Sequence, residues 1–499
     1  MAAGCADDSA RAYAEAQTAQ TLLNQGDLVG ARQAITRAMA LRDDQLDILL
    51  LDAQIKSRSG ELRAAYDAYR MVLAIDPRQP EALLAVAQLG LGLGEERRSM
   101  EAIETVLAMI PGHPDALLLS GIHALNRKDY AEASALADRL LANDQNDRRG
   151  IVLKARALAL TDRREEALAL LRTAAETIGN DQLIAIALLE NARDGGDVPI
   201  MLEQFSLLRQ ARPESVDLAI DEANVRYKSG DRERARAVGV EILSRFGNDA
   251  GAMRRLRTLW QEYDPDPLAP EQRRQLAEGG AVGARLAAAR HYLAQGRPQV
   301  AETIIAGAND ARAVGLMGRI AVAANTPGSI ATAASIIARD KTNCDALAAA
   351  AEWNLAQRKP KEAIEPAQKA AAECRDSSDG HLLLARAYAE QGRAAGAERV
   401  FREGLAAHPD DYALTAAYAH WLLRARRADA AEAVAERLTD RAPQRLSSWR
   451  LLEVICTETG DNACLAAARR GMEAARKDFG IDLPPGERAS NPLLGQQWR

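Results

Sequence analysis

Apolar and polar residues follow each other along this chain in amphipathic segments, in which an apolar face is interrupted by charge every few residues. This spacing predicts α-helices, because residues three and four apart share one face of a helix. Alanine and leucine dominate the apolar positions, and runs of β-branched residues that would indicate strands are missing. Alanine has the highest helix propensity, and leucine fills the seams between helices. The pattern predicts an all-α protein.

A glycine or another polar residue recurs at a spacing of 34 between pairs of these helical segments. Such residues suit a tight turn between two helices. The regular spacing therefore predicts a repeated helix–turn–helix unit of 34 residues. The turn column contains Gly26, Gly60, Gly94, Lys128, Asp162, Gly196 and Gly230 in one phase, and Gly392, Arg426 and Gly460 in a later one.

We number the turn as position 15 of the 34-residue unit. With this numbering, two columns of small residues and one column of prolines recur with the same spacing as the turn. Small residues at one point of each helix let the paired helices approach closely, and proline ends the second helix because it lacks an N–H and clashes with the preceding turn. Position 8 holds Ala19, Ala53, Ala87, Gly121, Ala155, Ala223, Ala289, Ala351, Ala385 and Ala419. Position 20 holds Ala31, Ala65, Ser99, Ala133, Ala167, Ala235, Ala301, Ala363, Ala397 and Ala431, and position 32 holds Pro77, Pro111, Pro213, Pro409 and Pro443.

These three columns resemble the tetratricopeptide repeat (TPR) family, which places small residues at positions 8, 20 and 27 and proline near position 32. The best match is residues 378–411, where Ala385, Tyr388, Gly392, Ala397, Phe401 and Pro409 fall on the family's positions. Unit 446–479 adds Trp449 at position 4 and then Leu452. The resemblance implies an all-α, right-handed superhelical solenoid of about fourteen units over residues 12–479.

The repeat is irregular in two places. Residues 263–270 are rich in proline and are followed by Gly279 and Gly280, and residues 314–343 form an abbreviated unit. We interpret the first irregularity as a break between two lobes, although a continuous, irregular stack explains it almost as well. The predicted organisation is an N-terminal tether at 1–11, an N-terminal lobe at 12–262, a break at 263–280, a C-terminal lobe at 281–479 and a capping or docking tail at 480–499.

Charge and motifs argue against several classes of function. The net charge is −6, from 64 basic and 70 acidic residues that form no block, so no nucleic-acid footprint is visible. No apolar stretch reaches the roughly 20 residues that span a bilayer. No two histidines have the spacing of a helical zinc site, and the glycines from Gly90 to Gly94 lack the rest of a phosphate-binding motif. We therefore predict a protein that is not an enzyme and has no cofactor and no metal.

The resemblance places a partner-binding groove on the first helix of each unit, at positions 2, 5, 9 and 12. An extended peptide or a helix of another protein would suit such a groove. The carboxylate clamp of some chaperone-binding family members is not recognisable. The mapped groove residues are Gln54, Gln88, Arg156, Glu190, Arg193, Asn224, Tyr227, Arg290, Glu352, Arg386, His420 and Arg450, interleaved with Leu50, Leu84, Leu118, Ile122 and Ile186.

The N-terminus contains Ala3-Gly4-Cys5, which is similar to the end of a bacterial lipobox, after which Cys5 would be acylated. On this basis the chain resembles periplasmic TPR lipoproteins anchored to the outer membrane, which assist assembly of pili, secretion channels or polysaccharide exporters. The lipid would be the only membrane contact. The alternative is a cytoplasmic regulator or adaptor that binds a peptide or a transcription factor in its groove.

Four further cysteines fall at paired positions of the repeat. Cys344 and Cys374 occupy positions 1 and 31 of one unit, where the first helix begins and the second ends. Cys456 and Cys464 each lie four residues from the Gly460 turn. Both pairs are predicted to form disulfides, which would fit an oxidising compartment. The alternative for Cys456 and Cys464 is that they are small core residues.

Overall fold

The computed structural model of the protein describes residues 2–179 and 181–479, and all of its regular elements there are helices that follow one another in helix–turn–helix pairs. The chain divides into two compact units, of which the first runs to Gly195 and the second starts at Gly196.

The first unit contains α1 (Ala2–Asn24), α2 (Leu28–Leu41), α3 (Leu46–Arg58), α4 (Leu62–Ile75), α5 (Pro80–Leu93), α6 (Glu96–Met109), α7 (Pro114–Asn126), α8 (Tyr130–Asn143), α9 (Arg148–Ala159), α10 (Arg164–Ile178) and α11 (Gln182–Gly195).

The second unit contains α12 (Val198–Ala211), α13 (Val216–Lys228), α14 (Arg232–Phe246), α15 (Ala250–Tyr263), α16 (Pro270–Gly279), α17 (Val282–Ala294), α18 (Pro298–Ile305), α19 (Ala311–Ala323), α20 (Ser329–Arg339), α21 (Cys344–Ala356), α22 (Pro360–Glu373), α23 (Asp379–Glu390), α24 (Ala394–Ala407), α25 (Tyr412–Arg424), α26 (Ala428–Arg441), α27 (Leu446–Thr459) and α28 (Asn462–Lys477).

The columns of small residues lie where paired helices meet. All ten residues at position 20, from Ala31 to Ala431, are fully buried, and so are the alanines at position 8. Gly121 holds position 8 of the fourth 34-residue repeat, where a side chain would collide with Leu153. The proline column also behaves as predicted, because each helix that precedes one of its members ends two residues before the proline. The all-α solenoid fold is confirmed.

The turn column requires the left-handed backbone conformation. All its glycines have positive φ values, from 73° to 85°. Lys128, Asp162 and Arg426 adopt the same conformation at 63°, 58° and 56°, which is uncommon for residues that have a side chain. The turn prediction is confirmed, and the three non-glycine turns carry backbone strain.

The division between the two units differs from the predicted break at 263–280. Those residues lie inside the second unit, where Asp264 and Leu268 are only 1% and 2% exposed. Arg236 donates to both carboxylate oxygens of Asp264 at 2.7 and 2.9 Å. The hydroxyl of Tyr292 donates to Asp266 at 2.8 Å and accepts from the Leu268 N–H at 3.2 Å. These contacts hold the proline-rich segment in one continuous core from Ala219 to Ile320, which sequence composition alone could not show.

The two ends of the chain were predicted to be a tether and a tail. Residues 2–11 of the predicted tether form the first part of α1, which begins at Ala2. The predicted capping or docking tail at 480–499 lies outside the described residues.

Candidate interaction surfaces

In the first unit, the predicted groove residues form two separate groups. Gln54 on α3 is half-buried and donates to the carboxylate of Glu81 at 2.6 Å, and Gln88 on α5 is half-buried as well. Arg156 on α9 pairs with Glu190 on α11 at 2.8 Å, so the repeat brings these two predicted residues together. Arg193 lies 3.6 Å from the neighbouring carboxylate of Asp194.

The apolar residues of that predicted groove divide between core and surface. Leu118 is 5% exposed and Ile122 is fully buried, so both belong to the core of the first unit. Leu50, Leu84 and Ile186 remain partly exposed. The partly exposed leucines alternate with Gln54 and Gln88 on the first helices of two successive pairs, which leaves an apolar surface with hydrogen-bonding groups there.

In the second unit, Tyr227 is a core residue and not a groove residue. Its ring is 7% exposed and stacks on Tyr263 with 5.6 Å between the ring centroids. Its hydroxyl donates to the buried carboxylate of Asp264 at 3.4 Å. Burial first, and then the charge of Asp264, raise the pKa of this phenol above its usual value. The prediction erred because the proline-rich segment that covers Tyr227 follows no repeat pattern. Asn224, one helical turn earlier, is half-buried.

Two other predicted groove residues of the second unit belong to an ion-pair network that joins α17, α19, α21 and α23. Arg290 pairs with Asp345 at 2.6 Å. Arg319 lies at its centre and contacts Glu352 and Asp379 at 2.6 Å each and Asp345 at 3.7 Å. The groove positions Arg290 and Glu352 are therefore engaged with other residues of the same chain.

Burial and charge act in opposite directions within this network. Burial would lower the pKa of Arg319, but Asp379 and Glu352 raise it well above its usual value. Burial would raise the pKa of Asp379, but Arg319 holds it below its usual value. The guanidinium of Arg257 on α15 also lies near this network, where burial and then Arg290 lower its pKa. Arg319 and Asp379 therefore stay ionised in this buried network because their opposite charges face each other.

Arg319, Asp345 and Asp379 were not among the residues predicted from the sequence. Asp345 and Asp379 both fall at position 2 of their units, 34 residues apart, so their recurrence was a usable signal. Arg319 lies in the abbreviated unit at 314–343, where the repeat gives no register. The remaining predicted groove residues differ in exposure: Arg386 and Arg450 are exposed, and His420 is half-buried with its Nδ1 2.7 Å from the Ala416 carbonyl oxygen.

The second unit also makes contacts between two of its early helices, α13 and α15, and the region of its last helical pair. Lys228, at the end of α13, donates to the carbonyl oxygens of Gln444 at 3.1 Å, of Ala475 at 3.2 Å and of Asp478. Glu262, at the end of α15, accepts from the Ser447 N–H at 2.9 Å and from its hydroxyl. These contacts join residues 185 to 250 positions apart.

Each of the four cysteines after Cys5 is in a disulfide. Cys344 and Cys374 join the start of α21 to the end of α22, with 5.7 Å between their Cα atoms. Cys456 and Cys464 join α27 to α28 across the Gly460 turn, with 5.6 Å between Cα atoms. Both separations lie within the range that disulfide geometry requires. The side chain of Cys5 lies outside the described residues.

Among the described residues, no three His, Cys, Asp or Glu side chains are grouped so that they could hold a metal ion. None of the helices in the same part of the chain is both long enough and apolar enough to span a bilayer.

Comparison with known proteins identifies the repeat. The family model described as "Tetratricopeptide repeat" matches residues 354–411 and 388–454. No curated protein sequence matches the chain significantly. Similar solved structures include a tetratricopeptide repeat protein from Parabacteroides merdae, which is 17% identical and has a TM-score of 0.42. The match covers 50% of this chain and 98% of that protein.

Two further solved structures resemble part of the chain. PilW, a type IV pilus biogenesis factor, is 20% identical with a TM-score of 0.36, and the match covers 41% of this chain and 94% of PilW. PilF of Pseudomonas aeruginosa is 16% identical with a TM-score of 0.34 over 42% of this chain and 95% of its own. Identities this low leave the function of the chain open. Residues 354–454 therefore match the tetratricopeptide repeat, and consecutive helical pairs with buried columns of small residues continue before and after them.

Proposed function

We propose that the chain is a non-enzymatic protein-binding scaffold of the bacterial cell envelope, which helps to assemble a secretion, pilus or polysaccharide-export complex. TPR proteins bind other proteins, and their fold is typical of scaffolds. The observation that carries the envelope assignment is the pairing of all four cysteines after Cys5. Disulfides persist in oxidising compartments such as the periplasm and are rare in the cytosol.

The position of Cys344 favours a disulfide over simple core packing. A structural free cysteine is usually buried. Cys344 is instead exposed at the first residue of α21, while its partner Cys374 is 5% exposed at the end of α22. Cys456 and Cys464 are both buried, so their burial alone fits either the bridged or the free state.

The compartment is tested by trapping thiols in the cells that produce the protein. Cells are quenched in acid, free thiols are alkylated, and the peptides that contain the four cysteines are measured by mass spectrometry without reduction. We expect both disulfide-linked peptides and no alkylation at these sites. A Cys344→Ser variant, in which Cys374 must become alkylated, serves as the control for reagent access. Full alkylation of all four cysteines in the unaltered protein would favour the cytoplasmic adaptor.

Acylation of Cys5 is a separate part of the proposal. Cells fed a palmitate analogue with a clickable group should label the chain, and a Cys5→Ser variant should lose the label. Unlabelled wild-type protein that still contains both disulfides would argue for an envelope protein without a lipid at Cys5.

We infer that partners bind the first helices of the first unit, around Gln54 and Gln88. In the second unit, Arg290 and Glu352 are engaged in ion pairs, whereas Leu50 and Leu84 remain partly exposed between the two glutamines. Replacing both glutamines by arginine should reduce co-purification of partners and leave the melting temperature nearly unchanged, because substitutions outside the core shift stability by only about 0.5 kcal/mol. Arg386→Glu, at a corresponding position of the second unit, is the matched control. Equal loss with the control would contradict this location.

A further inference from the structure

Helices α24 and α26 are the second helices of two successive repeats. Together with α25, which lies between them in sequence, they enclose a cleft of about 230 Å³. Its apolar lining includes Leu405, Tyr418 and Leu438. Tyr418 is 4% exposed and stacks on Phe401 with 4.9 Å between ring centroids, so this part of the floor belongs to the packed core. The cleft is separate from the first-helix positions to which the family resemblance assigns the groove.

Three arginines, Arg402, Arg437 and Arg441, also line this cleft, and no acidic residue does. Arg402 contacts Glu398 at 3.1 Å, and Glu398 also pairs with Arg427 at 2.7 Å. The lining of the cleft is therefore strongly basic.

Arg437 and Arg441 are exposed and form no ion pair with a carboxylate within the described ranges. They lie one helical turn apart on α26, and like charges at this spacing disfavour a helix. On the neighbouring α24 the same spacing joins opposite charges, as in Arg399 and Glu403 at 2.9 Å. The cleft thus concentrates positive charge above an apolar floor.

We propose that this cleft binds an acidic segment of a partner protein that also carries an apolar side chain. The apolar side chain would lie against Leu405 and Leu438, and carboxylates would accept hydrogen bonds from Arg437 and Arg441. A guanidinium presents donors in a planar fork that fits a carboxylate in a bidentate manner. The apolar floor favours a peptide over a phosphate polymer, which has no apolar group to bury. The inference rests on the proposed scaffold role but not on the compartment.

The test uses the full chain and a library of short random peptides displayed on phage. The library is first depleted on the double variant Arg437→Glu/Arg441→Glu and then selected on the wild type. We expect recovered peptides that combine at least two Asp or Glu residues with an apolar residue. Synthesised, they should bind the double variant at least about tenfold more weakly than the wild type, since charge reversal places like charges against the carboxylates of the peptide.

The matched control is Arg424→Glu/Arg470→Glu, which changes the net charge equally at two exposed arginines that do not line the cleft. It should bind the selected peptides within about twofold of the wild type, and the melting temperatures of both double variants should agree. Arg437→Gln offers a milder change if charge reversal disturbs folding, and it should also weaken binding.

Three results would overturn the proposal: recovery of no peptides or of neutral or basic ones, equal binding to both double variants, or displacement of the peptide by inorganic polyphosphate at similar affinity, which would indicate a general anion site. Each leaves the scaffold role untouched, because partner capture through Gln54 and Gln88 is measured separately.

Discussion

The Nζ atom of Lys228 lies 3.2 Å from the carbonyl oxygen of Ala475, a residue 247 positions further along the chain. The same ammonium group donates to the carbonyl oxygens of Gln444 and Asp478. One side chain therefore satisfies one acceptor in the turn before α27 and two at the end of α28, where a helix leaves its last carbonyl groups without partners.

Replacing Lys228 by methionine should destabilise the second unit by about 1–3 kcal/mol, because the carbonyl groups of the buried residues Gln444 and Ala475 lose a charged donor. Urea unfolding monitored by circular dichroism measures this loss. Lys369→Met removes a lysine of an exposed pair with Glu365 and should change stability by less than about 0.5 kcal/mol. Equal stability of the two variants would show that the Lys228 contacts contribute nothing.

His291 should make stability depend on pH. Burial lowers its pKa to about 4, against smaller opposing effects of the Pro265 and Asp264 backbone and of the Asp264 charge. The unfolded chain binds a proton near pH 6.5, so stability is fully present above that pH and is lost as the pH falls toward 4, by up to about 3 kcal/mol. Unfolding curves between pH 7 and 4 should show this slope, and His291→Leu should flatten it. An unchanged slope in the variant would assign the effect to other groups.

Arg319→Met should cost about 3–5 kcal/mol, because Glu352 and Asp379 would remain charged without their partner. Adding Glu352→Gln and Asp379→Asn should restore part of the loss, since neutral amides need no counter-charge. Failure of the triple variant to recover any stability would show that packing of the Arg319 side chain, rather than charge, is the larger contribution.

Reduction should destabilise the second unit through both disulfides. On the chain-entropy estimate, the Cys344–Cys374 loop contributes roughly 3.5 kcal/mol and the shorter Cys456–Cys464 loop roughly 2.5 kcal/mol. Serine variants of each pair, compared with and without reductant, separate the two contributions. If reductant lowers the melting temperature of a variant that lacks both pairs, the effect does not come from these bonds.

Lys128→Gly and Arg426→Gly should each stabilise the protein by about 1 kcal/mol. Both residues hold the left-handed conformation, with φ of 63° and 56°, in which glycine carries no steric penalty. Alanine at either site should give no such gain, and thermal unfolding distinguishes the two substitutions.

Local spacing was sufficient to predict most of the fold, because each helical pair is defined by residues within one 34-residue unit. Ala31 and Ala397, for example, are fully buried as their position requires. The contacts of Lys228 and Arg319 could not be predicted in this way, since their partners lie up to 250 and 60 residues away. Tyr227 was misassigned for the same reason, because its cover comes from Asp264, outside the repeat.

The contact between Lys228 and Ala475 also implies an order of events during synthesis. Helical hairpins depend on contacts close in sequence and form early, whereas contacts between distant residues form late. Ala475 leaves the ribosome 247 residues after Lys228, so the earlier pairs of the second unit are complete long before α28 exists. In a nascent chain that stops short of residue 475, the repeats would be stacked while the ammonium group of Lys228 is still hydrated. The second unit would then become resistant to protease only late in synthesis, when Lys228 meets its acceptors.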